Sequence, residues 1–206
     1  ITYLFDNADA EAVVFHAGFT PLVEQIRERL PKVRRWYVVA DETGFGPDWA
    51  TDYQAVVFAG HRVPAGRVEP SGDDLLLLYT GGTTGMPKGV MWRQDDLVNV
   101  LGAGGSPLTG LGPAGSVEEL VARIDPDVAR GSMVLVACPL MHGTGQFSAI
   151  NAMMTGGCVV SLASRAFDVA ELLDTVGRRE ASAIVLVGQA FAGPILDELR
   201  AHADRY

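Results

Sequence analysis

Between residues 80 and 88 the chain reads Thr80-Gly81-Gly82-Thr83-Thr84-Gly85, followed by Met86-Pro87-Lys88. Each residue type here has a use against a charged ligand. Gly81, Gly82 and Gly85 carry no Cβ, so the backbone can take positive φ and turn its N–H groups toward one anion. Thr80, Thr83 and Thr84 add hydroxyl donors, and Lys88 adds a positive charge. Pro87 fixes φ at the exit and lowers the entropy cost of ordering a Gly-rich segment. The combination suits a phosphate cradle. It is not the Walker loop, because Lys88 follows Pro87 rather than Gly and precedes Gly89 rather than Ser or Thr. Nor is it the dinucleotide fingerprint. Gly, Thr and Pro alone would equally build a flexible surface hairpin between Tyr79 and Val90; the ordered run T-G-G-T-T-G-x-P-K-G favours a ligand-holding loop.

Such a loop has to be carried by rigid elements, and the flanking sequence supplies them. Apolar β-rich runs alternate with amphipathic segments. Residues 11–15 and 34–40 read as strands, with a helix over 21–30 between them, capped by Thr20 and carrying Pro21 in its first turn. Residues 41–74 read as a Gly/Pro-rich surface excursion with one helix around Asp52 to Ala59. Beyond the loop, residues 94–103 read as a helix. Residues 116–124 read as another, with Ser116 and Glu119 spaced as a capping box, and 132–140 as a buried strand. Helix, strand, helix, strand and helix then follow over 145–156, 158–163, 168–180, 182–188 and 192–203. This alternation predicts an α/β fold with a parallel or mostly parallel sheet flanked by helices, since parallel neighbours need crossover connections. Ligands of such sheets bind at strand carboxyl ends, and the Gly-rich loop is expected at one of them.

Composition excludes several classes of function. The chain has 206 residues, 48% hydrophobic and 20% charged, which is ordinary for a globular protein able to bury a core. A net charge of -9 argues against a nucleic-acid partner, which needs a surplus of Lys and Arg on the contacting face. No apolar run approaches the roughly 20 residues of a membrane-spanning helix, and the first residues lack a signal peptide's basic start, so a cytoplasmic protein is expected. Cys138 and Cys158 have no metal-ligand spacing and read as reduced core thiols.

Residues 79–90, YTGGTTGMPKGV, resemble the phosphate-loop signature of the adenylate-forming (AMP-binding) superfamily, which includes acyl-CoA synthetases, luciferases and peptide-synthetase adenylation domains. Residues 139–146, PLMHGTGQ, fall where these enzymes place Pro, then His or an aromatic residue, then Gly, at the end of a strand. Residues 81–96 together with that second stretch further resemble the actinobacterial acyl-CoA synthetases that activate fatty acids or steroid side-chain acids. The resemblance covers most of the chain, with its specificity concentrated in residues 75–93 and 138–146.

The resemblance implies a two-step reaction in which a carboxylate attacks the α-phosphorus of ATP, pyrophosphate leaves, and the acyl-adenylate is captured by the thiol of CoA. It implies that Thr80, Gly81, Gly82, Thr83, Thr84 and Gly85 wrap the β and γ phosphates, that Lys88 balances charge, and that the Thr80 hydroxyl lies near Mg²⁺. Family members often carry Ser where this chain has Gly81, so one hydroxyl is missing and backbone donors must substitute. It also places His142 between the carboxylate substrate and the adenylate; away from the motif His142 would read as a helix-cap or core histidine. His16, His61 and His202 have no such context and read as surface or local structural residues. Gly188 and Gln189 would border the acyl pocket, or form a plain strand-end turn. The small residues at 190–193 would open pocket volume or allow close helix packing. No catalytic residue is assigned, because the substrate carboxylate is itself the nucleophile.

The family's adenine-contacting strand, its Mg²⁺-holding Glu, its ribose-holding Asp, its hinge and its mobile carboxyl-terminal domain with a catalytic Lys are not found in this sequence. The expectation is a partial N-terminal AMP-binding domain over residues 1–206, internal to a larger ligase and inactive by itself. A nucleotide- or polyphosphate-binding module without enzyme activity is the alternative. The expected partners are a small carboxylic acid, ATP and CoA, with no nucleic acid and no membrane span; homo-oligomerisation is left open.

Overall fold

A computed structural model describes residues 1–42, 44–59, 69–81, 85–103, 112–124, 132–164 and 166–206. The chain divides into two compact units, Ile1–Trp92 and Arg93–Tyr206.

In the first unit, strict alternation in β1 (Ala12–His16) buries Val13 and Phe15 and exposes the residues between them. β1 runs parallel to β2 (Arg35–Val39) in the register Ala12 with Arg35 to His16 with Val39, and β3 (Thr51–Asp52) adds to the other side of β2. The connection from β1 to β2 carries a 3₁₀ turn, Ala17–Phe19, then α2 (Thr20–Ile26) and a second 3₁₀ turn, Arg27–Arg29. It delivers Val23, Ile26 and Leu30 to a core shared with Val13, Phe15, Val33 and Val38. A short helix, α1 (Thr2–Asn7), precedes β1 and supplies Phe5 to that core.

Thr20 is the first residue of α2 rather than its cap. The preceding 3₁₀ turn runs directly into the helix and holds Thr20 at φ −48°, ψ −50°, whereas a capping residue needs extended backbone. Its Oγ1 is buried and pairs with nothing among the described residues. The expected helix near residue 52 is α3 (Tyr53–Phe58), with the Asp52 carboxylate accepting from the Ala55 N–H at 2.9 Å.

β4 (Leu75–Thr80) and β5 (Lys88–Arg93) form a two-stranded sheet of their own among the described residues. The connection between them is too short for the crossover a parallel pair requires, so the Gly-rich loop belongs to a hairpin and not, as expected, to a parallel sheet.

In the second unit, α4 (Gln94–Val98) passes into a π-helical turn, Asn99–Ala103, that buries Leu101. α5 (Val117–Ala122) is capped by Ser116, whose hydroxyl accepts from the Glu119 N–H at 3.1 Å. The box does not close as expected: the Glu119 carboxylate accepts from the Gly115 N–H, one residue earlier, at 2.7 Å.

The three remaining strands, β6 (Met133–Val136), β7 (Cys158–Val160) and β8 (Ala183–Val185), are all parallel in the order β7-β6-β8. The expected parallel sheet is thus present as two separate three-stranded sheets among the described residues. β6 is central and buried on both faces. Leu135 packs with Leu172 and Leu173 of α7 (Val169–Arg179) and Ile195 of α8 (Gln189–Ala201). Val136 and Cys138 pack with Ala149 of α6 (Gly143–Met154). Neighbouring side chains of a strand point to opposite faces, so α6 covers one face and α7 and α8 the other.

The turn before α7 is held by two carboxylates. Asp168 caps the helix at the Glu171 N–H, and Glu171 reaches back to the N–H groups of Ala163 at 2.7 Å and Ser164 at 3.2 Å. The Ser164 side chain, with the Ala163 N–H, lowers the Glu171 pKa below its ordinary value. Glu171 therefore contributes stability above its unfolded-state pKa, and that contribution is lost as pH falls through the folded-state value. A Glu171→Gln variant should be less stable than wild type at neutral pH, and the gap should close on acidification below about pH 4 in urea titrations. Leu135 and Leu172 are both 0% exposed. Leu135→Ala should cost about 2–5 kcal/mol in the same titration, whereas Leu196→Ala, on the exposed side of α8, should stay within about 0.5 kcal/mol.

Candidate functional site

The Gly-rich loop leaves the carboxyl end of β4 at Thr80 and enters β5 at Lys88. Gly82, Thr83 and Thr84 lie outside the described residues. Gly81 and Gly85 are exposed, and a Cβ built at either would meet nothing within 4 Å. Packing does not demand glycine there. The absent side chains leave the backbone N–H groups open to a ligand, as phosphate binding needs. Lys88 is exposed and makes no ion pair with another described residue.

In the second unit the sheet order creates a switch point. From β6 the chain turns through α6 to β7, then crosses back through α7 to β8 on the opposite side of β6. The segments leaving the carboxyl ends of β6 and β8 are therefore neighbours that run to opposite faces, which is where open α/β sheets form ligand crevices. His142 stands at the end of the first segment, and Gly188 and Gln189 at the end of the second. The three residues singled out for the acid are thus brought to adjacent strand ends.

His142 is the N-cap of α6, with extended backbone (φ −89°, ψ 135°). Its Nδ1 accepts from the Thr144 N–H at 3.2 Å. In the neutral ring this puts the proton on Nε2, free to donate outward. The residue is exposed, so it is a cap and not a core histidine. Gly188 is the N-cap of α8 with φ 71° and ψ −179°, a backbone state that glycine almost alone adopts. A Cβ there would meet nothing within 4 Å, so conformation and not space requires the glycine. Gly193 has no neighbour near a built Cβ either, which removes close helix packing as its reason. It precedes Pro194 inside α8, and helical backbone is disfavoured for a residue with a Cβ in front of a proline.

Gly145 carries a requirement that residue types alone do not show. A Cβ there would lie 2.7 Å from the Pro139 carbonyl oxygen and 3.1 Å from that of Cys138, so glycine lets the first turn of α6 approach the end of β6. The signal available was the second glycine of the H-G-T-G run. Nearby, the Gln146 Oε1 is buried with no partner among the described residues. No sequence signal pointed to Gln146. Cys138 is buried, and burial raises its thiol pKa, whereas Cys158, on the edge strand β7, is exposed. The expectation of two core thiols holds for Cys138 only. His16 lies 3.6 Å from Asp41 and His202 lies 3.1 Å from Glu198, both at the surface; His61 lies outside the described residues.

The family model described as AMP-binding enzyme matches residues 1–205. The chain belongs to the AMP-binding enzyme family. Among curated relatives it is 37% identical over 197 residues to the medium-chain acyl-CoA ligase Mig of Mycobacterium avium, covering 94% of this chain and 35% of that protein. It is 30% identical over 201 residues to a 3-oxocholest-4-en-26-oate–CoA ligase of Rhodococcus rhodochrous, covering 97% of this chain and again 35% of the relative. Of solved structures, the N-terminal domain of FACL13 from Mycobacterium tuberculosis aligns with a TM-score of 0.59 at 20% identity, over 89% of this chain and 39% of that one. That likeness shows the fold. The chain spans about a third of the length of the curated relatives it matches.

Within this AMP-binding fold the glycines divide into those held by contact, those held by backbone and those held by neither. Gly145→Ala should lose about 1–3 kcal/mol through overpacking against backbone, and Gly188→Ala about 1–3 kcal/mol through strain. Gly177, in α7 with open space around it, should instead gain about 0.5–1 kcal/mol as Ala. Thermal melts of the three variants check this ranking.

Proposed function

We propose that the intact protein is an ATP-dependent acid–CoA ligase. It activates a fatty or steroid side-chain carboxylic acid as an acyl-adenylate, releases pyrophosphate, and transfers the acyl group to the thiol of CoA. The observation that carries the reading is the loop after β4, where Gly81 and Gly85 stand in open space and Lys88 opens the next strand. The names of the curated relatives, a medium-chain acyl-CoA ligase and a 3-oxocholest-4-en-26-oate–CoA ligase, support the substrate class. We place the enzyme in the cytoplasm, where ATP and CoA are available; no helix among the described residues is long and apolar enough to cross a membrane.

The roles divide by chemistry. A carboxylate oxygen of the acid is the nucleophile, so adenylation needs no side-chain nucleophile and no base. Loop N–H groups, the Thr80, Thr83 and Thr84 hydroxyls and the Lys88 charge stabilise the leaving pyrophosphate. The Nε2–H of His142, whose ring is fixed by its cap bond, is available to orient the acid. Mg²⁺ offsets phosphate charge when bound. Among this chain's residues, Thr80 would offer it one neutral oxygen.

The intact protein should release pyrophosphate with at least one member of a panel of fatty and steroid acids; silence across the panel would overturn the ligase reading. Lys88→Ala should slow adenylation roughly ten- to hundredfold while affecting thiol capture of a supplied acyl-adenylate less. His142→Asn keeps a good capping residue and removes the imidazole. It should melt near wild type and raise the KM for the acid several-fold, with the KM for ATP nearly unchanged. An unchanged KM for the acid would confine His142 to capping.

A further inference from the structure

The base of the Gly-rich loop is tied to a part of the first unit far away in sequence. The Tyr79 hydroxyl donates to the Asn7 Oδ1 at 2.6 Å. The Tyr79 ring also lies across Gly89: a Cβ built at Gly89 would sit 3.1 Å from the ring's Cζ. Tyr79 immediately precedes Thr80, and Gly89 immediately follows Lys88. One side chain therefore touches both margins of the loop.

The acceptor is itself held. Asn7 is the last residue of α1, and the chain leaves that helix through Asp9 at φ 50°, with the Ala10 N–H returning to the Phe5 carbonyl at 3.0 Å and the Asp9 N–H to that of Asp6 at 3.1 Å. This is the left-handed termination that satisfies a helix's last carbonyls. The Lys32 ammonium, from the segment before β2, grips the corner through Asp9 at 2.6 Å and Asp6 at 3.2 Å. Non-glycine residues rarely hold positive φ unless their surroundings fix them, so the corner is a braced point.

We propose that Tyr79 is a positioning residue, clamping the margins of the phosphate loop, at Thr80 and at Lys88 and Gly89, to the α1 corner so that those margins are in place when nucleotide phosphates bind. The proposal rests on the phosphate-loop reading. Glycine at 89 leaves room for the ring, and the hydroxyl bond sets the ring's reach. Fixing the margins before binding removes part of the entropy cost of holding a ligand there.

The test uses the intact protein carrying Tyr79→Phe, which keeps the ring and removes the donor, Asn7→Ala, which removes the acceptor, the double variant, and Asn7→Asp, which restores an acceptor. Amide hydrogen exchange without ligand should be faster by roughly two- to tenfold at residues 80, 81, 85 and 88 in each single variant, the range expected for one net hydrogen bond. Exchange in β1 and β2 should stay as in wild type. The KM for ATP should rise by a similar factor, the KM for the acid should hold, the double variant should be no worse than either single, and Asn7→Asp should recover wild-type behaviour. Unchanged loop exchange in both single variants overturns the clamp. So does an additive double variant, or a fall in melting temperature that raises both KM values together. If wild type releases no pyrophosphate with any acid, the ligase reading fails separately, and loop exchange still decides the clamp.

Discussion

Burial of β6 on both faces is the constraint from which the second unit's arrangement follows. A parallel strand can pair with neighbours on both sides only if the chain leaves and returns over the sheet, and each return must cover a face. Leu135 is 0% exposed against α7 and α8, while Val136 and Cys138 are buried against α6 on the other face. With β7 on one side and β8 on the other, the chain reverses direction across β6, and the helices after β6 and β8 diverge. The gap between those departures places His142 and Gly188 at neighbouring strand ends. Gly145 then sets how closely α6 can start to the strand it follows.

The first unit solves a different problem. On the proposed function, its loop has to offer backbone donors to phosphates while its ends are held in place. Gly81 and Gly85 stand exposed in open space, and Tyr79 contacts Asn7 and Gly89 at the loop's margins, an arrangement that suits both needs. Short cap and turn bonds elsewhere in the unit, Asp52 with Ala55 and Lys32 with Asp9, hold other corners of the chain.

Features that depend on near neighbours were readable in the chain. The apolar, β-rich run at 11–15 marked β1, the amphipathic segment at 168–180 marked α7, and Ser116 marked the start of α5. Features that depend on context were not. Thr20 has the right residue type for a cap but follows a 3₁₀ turn that takes it into the helix. The two-residue strand β3 is too short for any periodicity, and the exposure of Cys158 follows from β7 lying at a sheet edge.

The sequence by itself determined the chemistry of residues 80–88, because glycine's backbone freedom, threonine's hydroxyl and lysine's charge are properties of the residues wherever the chain puts them. It also determined the α/β class, through periodicities that act over one or two turns. Only the tertiary structure decided that the loop belongs to a hairpin, that His142 uses its Nδ1 to cap α6, and that Gly188 follows the strand paired with the one before His142. It alone decided that Asn7 meets Tyr79. The Gly188 placement and the Asn7–Tyr79 contact depend on which distant segments share a sheet or a corner, which is settled by burial over a whole unit and not by any local run of residues.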